Sequence, residues 1–269
     1  MIRSPVVSGQ FYPGSRASLS KEMQSLISPA SKKEDAIAMI SPHAGYMYSG
    51  GVAGALFGSV KAKDVYIILG PNHTGLGKAF GISTAQAWKT PLGDVEVNRV
   101  LVKTIEKNCP YIQDDDLSHS GEHSIEVQLP FLQTTCNLFT FVPIVVSQAD
   151  LNVYIEAGIS IAKSIKMLGL EKRSAIIASS DMTHYETRES AEKKDGAAIE
   201  AILKLDETLL YKRVNSMDIT MCGFAPAIMA IACAKELGAK NARLVKYANS
   251  GDASGDYSSV VGYAAITIY

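Results

Sequence analysis

Six short apolar runs of strand length are spaced along the chain. Most of them are continuously apolar and do not alternate with polar residues. This pattern is typical of central strands that are covered by helices on both faces. The runs span residues 36–41, 65–70, 139–146, 174–179, 243–249 and 260–269. They predict a sheet whose strands are mostly buried.

Segments with helical character lie between these runs, at residues 50–60, 97–107, 124–133, 151–168, 191–205 and 225–237. Another helix is predicted from a cap at Ser18 to about Ile27. The alternation of strands and helices indicates an α/β fold, a layered sheet with helices on both faces. Residues 79–97 interrupt the alternation with a turn signal around Pro91, which predicts a hairpin beside the main sheet. Without a repeat or a linker, residues 1–269 are expected to form a single domain.

Composition narrows the classes of function. The 269 residues are 47% hydrophobic and 20% charged, with a net charge of −1 and no dense cluster of Lys and Arg, so no nucleic-acid partner is expected. No apolar run approaches the roughly 20 residues of a membrane-spanning helix. The first residues have no apolar core of signal-peptide type, so a cytoplasmic location without a membrane partner is expected. The four cysteines have no paired spacing and are expected to be free thiols or metal ligands.

Polar loops that contain a histidine follow three of the apolar runs. His43 follows the first run, His73 the second, and Asp181 with His184 the fourth. If these strands are parallel neighbours, the loops share the carboxyl edge of the sheet, where open α/β sheets place their sites. Imidazole is the commonest metal-ligand side chain, so the convergence of three histidines predicts a metal-binding pocket. The alternative is that each histidine only binds loop backbone.

Three further residues have less certain roles. His123, with Glu122, precedes a helix expected to begin at Ser124, where it could face a substrate oxyanion or serve only local capping. His119 lies in an acidic polar loop and is expected to be exposed. Cys222 precedes a helix start, a position that lowers the pKa of a thiol and suits a ligand or a reactive thiolate, although an ordinary cysteine is an open alternative.

Six motifs, taken together and in order, resemble the Memo family and its wider relatives, the class III (LigB-type) extradiol dioxygenases. The motifs are PHAGYMYSG (42–50), LGPNHTG (69–75), GEHSIEVQLPFL (121–132), SSDMTHYE (179–186), CGFAPA (222–227) and YANSGDASGDYSSVVGYAA (247–265). They extend over nearly the whole chain. The resemblance implies an α/β fold like that of the extradiol dioxygenases.

The resemblance also implies roles for site residues. His43 and His73 match the two histidine ligands of non-haem Fe(II) in those dioxygenases. Cys222 takes the position of their carboxylate ligand, so Cu or Zn are alternatives to Fe(II). His184 matches the acid/base histidine, with Asp181 and His123 as further catalytic candidates. The family further suggests a small-molecule or peptide ligand and association with AMMECR-type and radical-SAM proteins.

Three functions therefore stay open at the level of sequence. The first is a metal-dependent oxidoreductase, dioxygenase-like, that uses iron or copper. The second is a non-catalytic protein that binds peptides, including phosphotyrosine peptides as the eukaryotic relatives do, over a vestigial pocket. The third is a zinc-type hydrolase, in which the same ligands would activate water.

Overall fold

The computed structural model describes residues 1–269 and contains a large sheet, a small sheet and nine α-helices. The strands are β1 (Ile2–Arg3), β2 (Ala38–Ser41), β3 (Val65–Pro71), β4 (Phe80–Ile82), β5 (Ala87–Thr90), β6 (Gly93–Glu96), β7 (Gln113–Asp114), β8 (Thr140–Val146), β9 (Ser174–Ser179), β10 (His184–Glu186), β11 (Ala242–Asn249) and β12 (Val260–Ile268). The helices are α1 (Arg16–Leu26), α2 (Tyr46–Ser59), α3 (Arg99–Asn108), α4 (Leu129–Thr135), α5 (Leu151–Met167), α6 (Arg188–Leu203), α7 (Glu207–Ser216), α8 (Phe224–Glu236) and α9 (Gly251–Ser254).

The large sheet has nine strands around a parallel centre. Strands β2, β9, β3 and β8 run parallel in that order, whereas β12 pairs antiparallel with β2 on one side and β4 pairs antiparallel with β8 on the other. Strand β11 pairs with β12 along its length, and β10 pairs with the start of β12. In the parallel centre, Ser41 lies opposite Ser179 and Leu69 lies opposite Ala178. The carboxyl ends of β2, β9 and β3 are therefore level.

The central strands are covered on both faces. Every residue of β2, β3 and β9 is buried, and successive side chains of a strand point to opposite faces. Helix α8 packs on β2, β3 and β9 with α5 behind it, and α2 packs on β11 and β12. The structure thus confirms a mixed α/β fold with a sheet flanked by helices.

The predicted hairpin forms only in part. Strands β5 and β6 pair antiparallel across a turn at Pro91 and Leu92, and β1 adds to β5 to complete a separate three-stranded sheet. The beginning of the stretch, β4, instead lies in the main sheet between β8 and β7. The hairpin therefore does lie beside the main sheet, but it is shorter than predicted.

Some helix boundaries differ from prediction. Helix α1 is capped by Ser15, whose hydroxyl accepts from the N–H of Ser18, so the predicted cap lies inside the helix. The helix predicted over residues 124–133 is a 3-10 turn, Glu126–Gln128, followed by α4. Helix α7 was not predicted; its N-cap is Asp206, which accepts from the N–H of Leu209. No helix combines the length and apolar character needed to cross a membrane.

Two glycines of α2 provide a matched test of how closely α2 packs against the end of α1. A Cβ at Gly54 would overlap the carbonyl oxygen of Leu26, whereas a Cβ at Gly51 would meet only Lys246 Nζ at 3.7 Å. We expect Gly54→Ala to lower the free energy of unfolding by about 1–3 kcal/mol, because backbone must move. Gly51→Ala should raise it by up to about 1 kcal/mol through helix propensity. Urea unfolding of both variants checks this, and equal effects would contradict the packing described.

Candidate metal centre

Side chains from four loops meet at the carboxyl edge of the sheet. His43 lies two residues beyond β2, His73 two residues beyond β3, and Asp181 two residues beyond β9. Cys222 comes from the loop before α8. One donor atom each of His43, His73 and Cys222 lies within 4.8 Å of the others, and His43 Nε2 is 3.2 Å from Cys222 Sγ. The structure thus brings the three predicted ligands together.

His43 is held from behind by strand β9. Its Nδ1 lies 2.9 Å from the hydroxyl of Ser179, and the side chain is buried. Burial, with the neighbouring imidazoles of His73 and His123, holds the pKa of His43 well below its usual range. This histidine is therefore neutral at physiological pH, the form that binds a metal.

His73 is oriented by Glu122. The carboxylate accepts from the backbone N–H of His73 at 2.7 Å and lies 3.0 Å from its Nδ1, and it also accepts from the backbone N–H groups of His123 and Ser124. Burial acts to raise the pKa of Glu122, but these donors outweigh it and lower the pKa to about 2. Because the carboxylate is ionised, Nδ1 of His73 donates to it, which leaves Nε2 free. Burial acts to lower the pKa of His73, but the hydrogen bond and the charge of Glu122 outweigh it, so the pKa is raised.

His123 lies beside the ligand group. Its ring stacks on that of His73 with centroids 4.8 Å apart, and Phe11 contacts it edge-on. Burial lowers its pKa, against the charge of Glu122. His73, Glu122 and His123 form a second group with donor atoms within 4.8 Å. The carboxylate of Glu122 is already committed to four N–H groups, so this group is the poorer candidate for a metal.

Asp181 contacts the ligands through the backbone. One carboxylate oxygen accepts from the N–H of His43 at 2.7 Å and from that of Ala44, while the N–H of Asp181 donates to Cys222 Sγ at 3.3 Å. Burial raises the pKa of Asp181 to about 6, although the N–H of His43 and the nearby imidazole of His184 oppose the shift. Asp181 therefore ties two ligand loops together.

His184 is held by Thr220 and makes no hydrogen bond to Asp181. Its backbone N–H donates to the Thr220 hydroxyl at 2.7 Å, and its Nδ1 lies 2.9 Å from the Thr220 carbonyl oxygen. A carbonyl oxygen only accepts, so Nδ1 carries the hydrogen and Nε2 is free. The loop before Cys222 therefore orients this ring, and Asp181 does not.

The expectation of a low thiol pKa at Cys222 is wrong for the metal-free protein. Cys222 is half-buried and its sulfur lies beside Asp181, and burial together with that carboxylate raises the pKa of Cys222. The nearby start of α8 does not compensate. A thiol that faces an imidazole nitrogen is well placed to release its proton when a cation binds the sulfur.

The donor set fits a borderline transition metal. Two imidazoles, each with Nδ1 engaged by another group, and one thiol offer Nε2, Nε2 and Sγ. Such ligands suit Fe, Cu or Zn rather than Mg or Ca. A metal ion held by these three residues would keep a coordination position for another molecule.

The comparison with known proteins establishes the family. A family model described as Memo-like protein matches residues 3–267. The chain belongs to the Memo family. A relative from Methanococcoides burtonii, named MEMO1 family protein, is 44% identical over 269 residues, and the match covers 99% of this chain and 100% of the relative. One from Methanopyrus kandleri is 41% identical over 280 residues, with 99% and 98% covered.

A solved structure resembles this Memo-family chain in fold alone. It is an uncharacterised protein of Escherichia coli K12, with 10% sequence identity and a TM-score of 0.53. The match covers 86% of this chain and 98% of the other. It supports the α/β architecture and carries no information about the ligands.

The environment of His119 in this Memo-family protein differs from prediction. The side chain is 1% exposed, its Nε2 lies 3.0 Å from the carbonyl oxygen of Gly81, and its ring meets Trp88 edge-on. The acidic loop folds back over β4, which the local sequence does not reveal. His119 is therefore a core residue outside the ligand group.

Sequence reasoning also missed Ser179 and Gln128 as parts of the site and left the role of Glu122 open. Both missed residues contact the His43 loop from distant positions in the chain. Ser179 could have been found from the sequence, because it is a polar residue at the end of an apolar, buried strand.

Burial makes the stability of this Memo-family protein depend on pH through His119. Burial lowers the pKa of His119 from 6.5 to about 4. Between these values the unfolded state binds the proton and the folded state does not, so stability is lost as the pH falls through this window. We expect the wild type to lose about 2 kcal/mol more than His119→Gln between about pH 7.5 and pH 5. Urea unfolding at both pH values measures this, and equal losses would contradict it.

Proposed function

We propose that this Memo-family protein binds one transition-metal ion through His43, His73 and Cys222, and uses it as an oxidoreductase related to the extradiol dioxygenases. The observation that carries the proposal is the convergence of three donor atoms within 4.8 Å. Fe(II) is the first candidate and Cu the second. A bound ion of this kind would supply redox chemistry and an open coordination position.

The chain's own residues would bind the substrate and move its protons. One oxygen of Asp181 is engaged by two N–H groups, while the other has no hydrogen-bond partner and could hold a proton beside the ligands. His184 offers a free Nε2 on a ring fixed by Thr220. His123 lines the site next to His73. In this proposal Asp181 and His184 exchange protons with the substrate and His123 contacts it.

A second candidate function, peptide binding, is favoured by the surface beside His184. Tyr185 is 79% exposed and its backbone has φ of 60°, a left-handed conformation that is costly for a residue with a side chain. Its ring lies 5.8 Å from that of His184. Residues in costly backbone conformations cluster at active sites and ligand contacts, and an exposed aromatic ring is a suitable contact for a peptide. We include in this proposal that the surface binds a partner protein of the AMMECR or radical-SAM type.

Metal binding can be tested with two cysteines. Cys222→Ser removes a proposed ligand, whereas Cys233→Ser alters a buried cysteine within α8. Loss of a side chain that hydrogen-bonds to a metal ligand lowers metal affinity about 10–100-fold, so loss of the ligand itself should lower the affinity further. We expect competition titrations with Fe(II), Cu and Zn to show one ion per chain, bound more weakly only in the Cys222 variant. Equal affinity of the two variants would contradict the assignment.

Redox activity is tested by oxygen uptake. With iron or copper loaded, we expect the wild type to consume O₂ in the presence of catechols or thiols, and the His43→Ala/His73→Ala double variant to lose this uptake, since the ion would no longer be held. An oxygen electrode provides the measurement, and Cys233→Ser is the matched control. Turnover of esters or amides without oxygen, with zinc bound, would favour the hydrolase instead.

The peptide surface is tested at Tyr185. Glycine adopts a positive φ freely, so Tyr185→Gly should leave the free energy of unfolding unchanged or raise it by up to about 1 kcal/mol. The same variant should bind tyrosine-containing peptides, phosphorylated or not, at least about tenfold more weakly by fluorescence anisotropy, the order of one lost aromatic contact. Undiminished binding to the variant would exclude this surface.

A further inference from the structure

The hydroxyl of Ser179 lies at the centre of a buried polar network behind the proposed metal ligands. Its oxygen is 2.6 Å from the carbonyl oxygen of Ser124, 2.8 Å from Nε2 of Gln128 and 2.9 Å from Nδ1 of His43. All four residues are 0–2% exposed. With water excluded, each of these short contacts needs a hydrogen supplied by one of the two partners.

The direction of the Gln128 contact is fixed by a proline. Nε2 of Gln128 lies 2.9 Å from the carbonyl oxygen of Pro42, which can only accept. The amide nitrogen therefore faces Pro42 and Ser179, and its oxygen accepts from the hydroxyl of Ser41 at 2.8 Å. Gln128 thus donates one hydrogen to Pro42 and the other to Ser179.

The direction of the Ser124 contact follows next. A carbonyl oxygen has no hydrogen, so the 2.6 Å contact requires the single hydroxyl hydrogen of Ser179. Ser179 has then donated its only hydrogen and accepted one from Gln128. Ser179 therefore has no hydrogen left to donate to His43.

We infer that Ser179 is a positioning residue that holds His43 with its proton on Nδ1. The hydrogen in the contact between Nδ1 and the hydroxyl can come only from the imidazole. Because neutral imidazole has one N–H, Nε2 is left with its lone pair, and it points at Cys222 Sγ 3.2 Å away. His43 thus presents an unprotonated nitrogen to the ligand group before any ion arrives.

The network also aligns the loops that bear the ligands. Ser179 ends β9, its hydroxyl contacts the His43 loop, and Ser124 belongs to the loop whose Glu122 orients His73. One hydroxyl therefore connects the supports of both histidine ligands. The consequence for metal affinity rests on the proposed function, whereas the tautomer itself can be measured without metal.

The tautomer is tested on the metal-free wild type. Long-range ¹H–¹⁵N correlation spectra of protein with ¹⁵N-labelled histidine distinguish a protonated from an unprotonated ring nitrogen. The signals of His43 are identified by their loss in His43→Gln. We expect a protonated Nδ1 and an unprotonated Nε2 at neutral pH. A protonated Nε2 in the wild type would overturn the inference. Because the spectrum is recorded on the wild type, this test does not depend on whether a Ser179 variant folds.

The role of Ser179 is then tested with a matched pair of serines on one strand. Ser179→Ala removes the hydroxyl, whereas Ser174→Ala removes an equally buried hydroxyl that has no hydrogen-bond partner. We expect only the Ser179 variant to show protonated Nε2 and an affinity for Zn or Fe(II) about 10–100-fold weaker. A Ser179 variant with the wild-type tautomer and affinity, or a Ser174 variant that changes equally, would overturn it. Wild type with the expected tautomer but no metal binding would contradict the proposed function and leave the inference standing.

Discussion

The parallel alignment of β2, β9 and β3 is the constraint on which the site depends. Backbone hydrogen bonds place Ser41, the last residue of β2, opposite Ser179, the last residue of β9. Strand β3 ends one residue beyond that level. The first residues beyond each strand therefore start from the same level and approach one another within a few ångströms. A slip of one register position would move a whole loop by about 3.3 Å along its strand and turn its side chains to the other face. Apolar burial on both faces of the sheet makes such a slip costly.

Around that edge, hydrogen bonds decide which atoms are offered to a ligand. Both proposed histidine ligands have Nδ1 engaged, one by a hydroxyl and the other by a carboxylate. The two supports meet in the segment that contains Glu122 and Ser124. Asp181 connects the loop of His43 to Cys222 through N–H groups. Polar groups that lie behind the proposed ligands therefore hold them in place, as hydrogen-bond partners generally do for the ligands of metal sites.

Much of this arrangement could be predicted from the sequence, for physical reasons. Continuous apolar runs show which strands are central, and the polar residues directly after them must fall at one edge if the strands are parallel. That placed His43, His73, Asp181 and His184 at the carboxyl edge. Cys222 was suggested by its position before a helix and by family resemblance. The burial of His119 and the network of Ser179 and Gln128 were not predictable, because they depend on contacts with other parts of the fold.

The central claim is that His43, His73 and Cys222 together hold one transition-metal ion. Element-specific anomalous diffraction from crystals of the metal-loaded protein tests it most directly, since it identifies the element and its position together. The account predicts a single iron or copper peak about 2.0–2.3 Å from Nε2 of both histidines and from Sγ of the cysteine. A peak at Glu122 and His123 that does not touch Cys222, or no peak at the edge of the sheet, would contradict it.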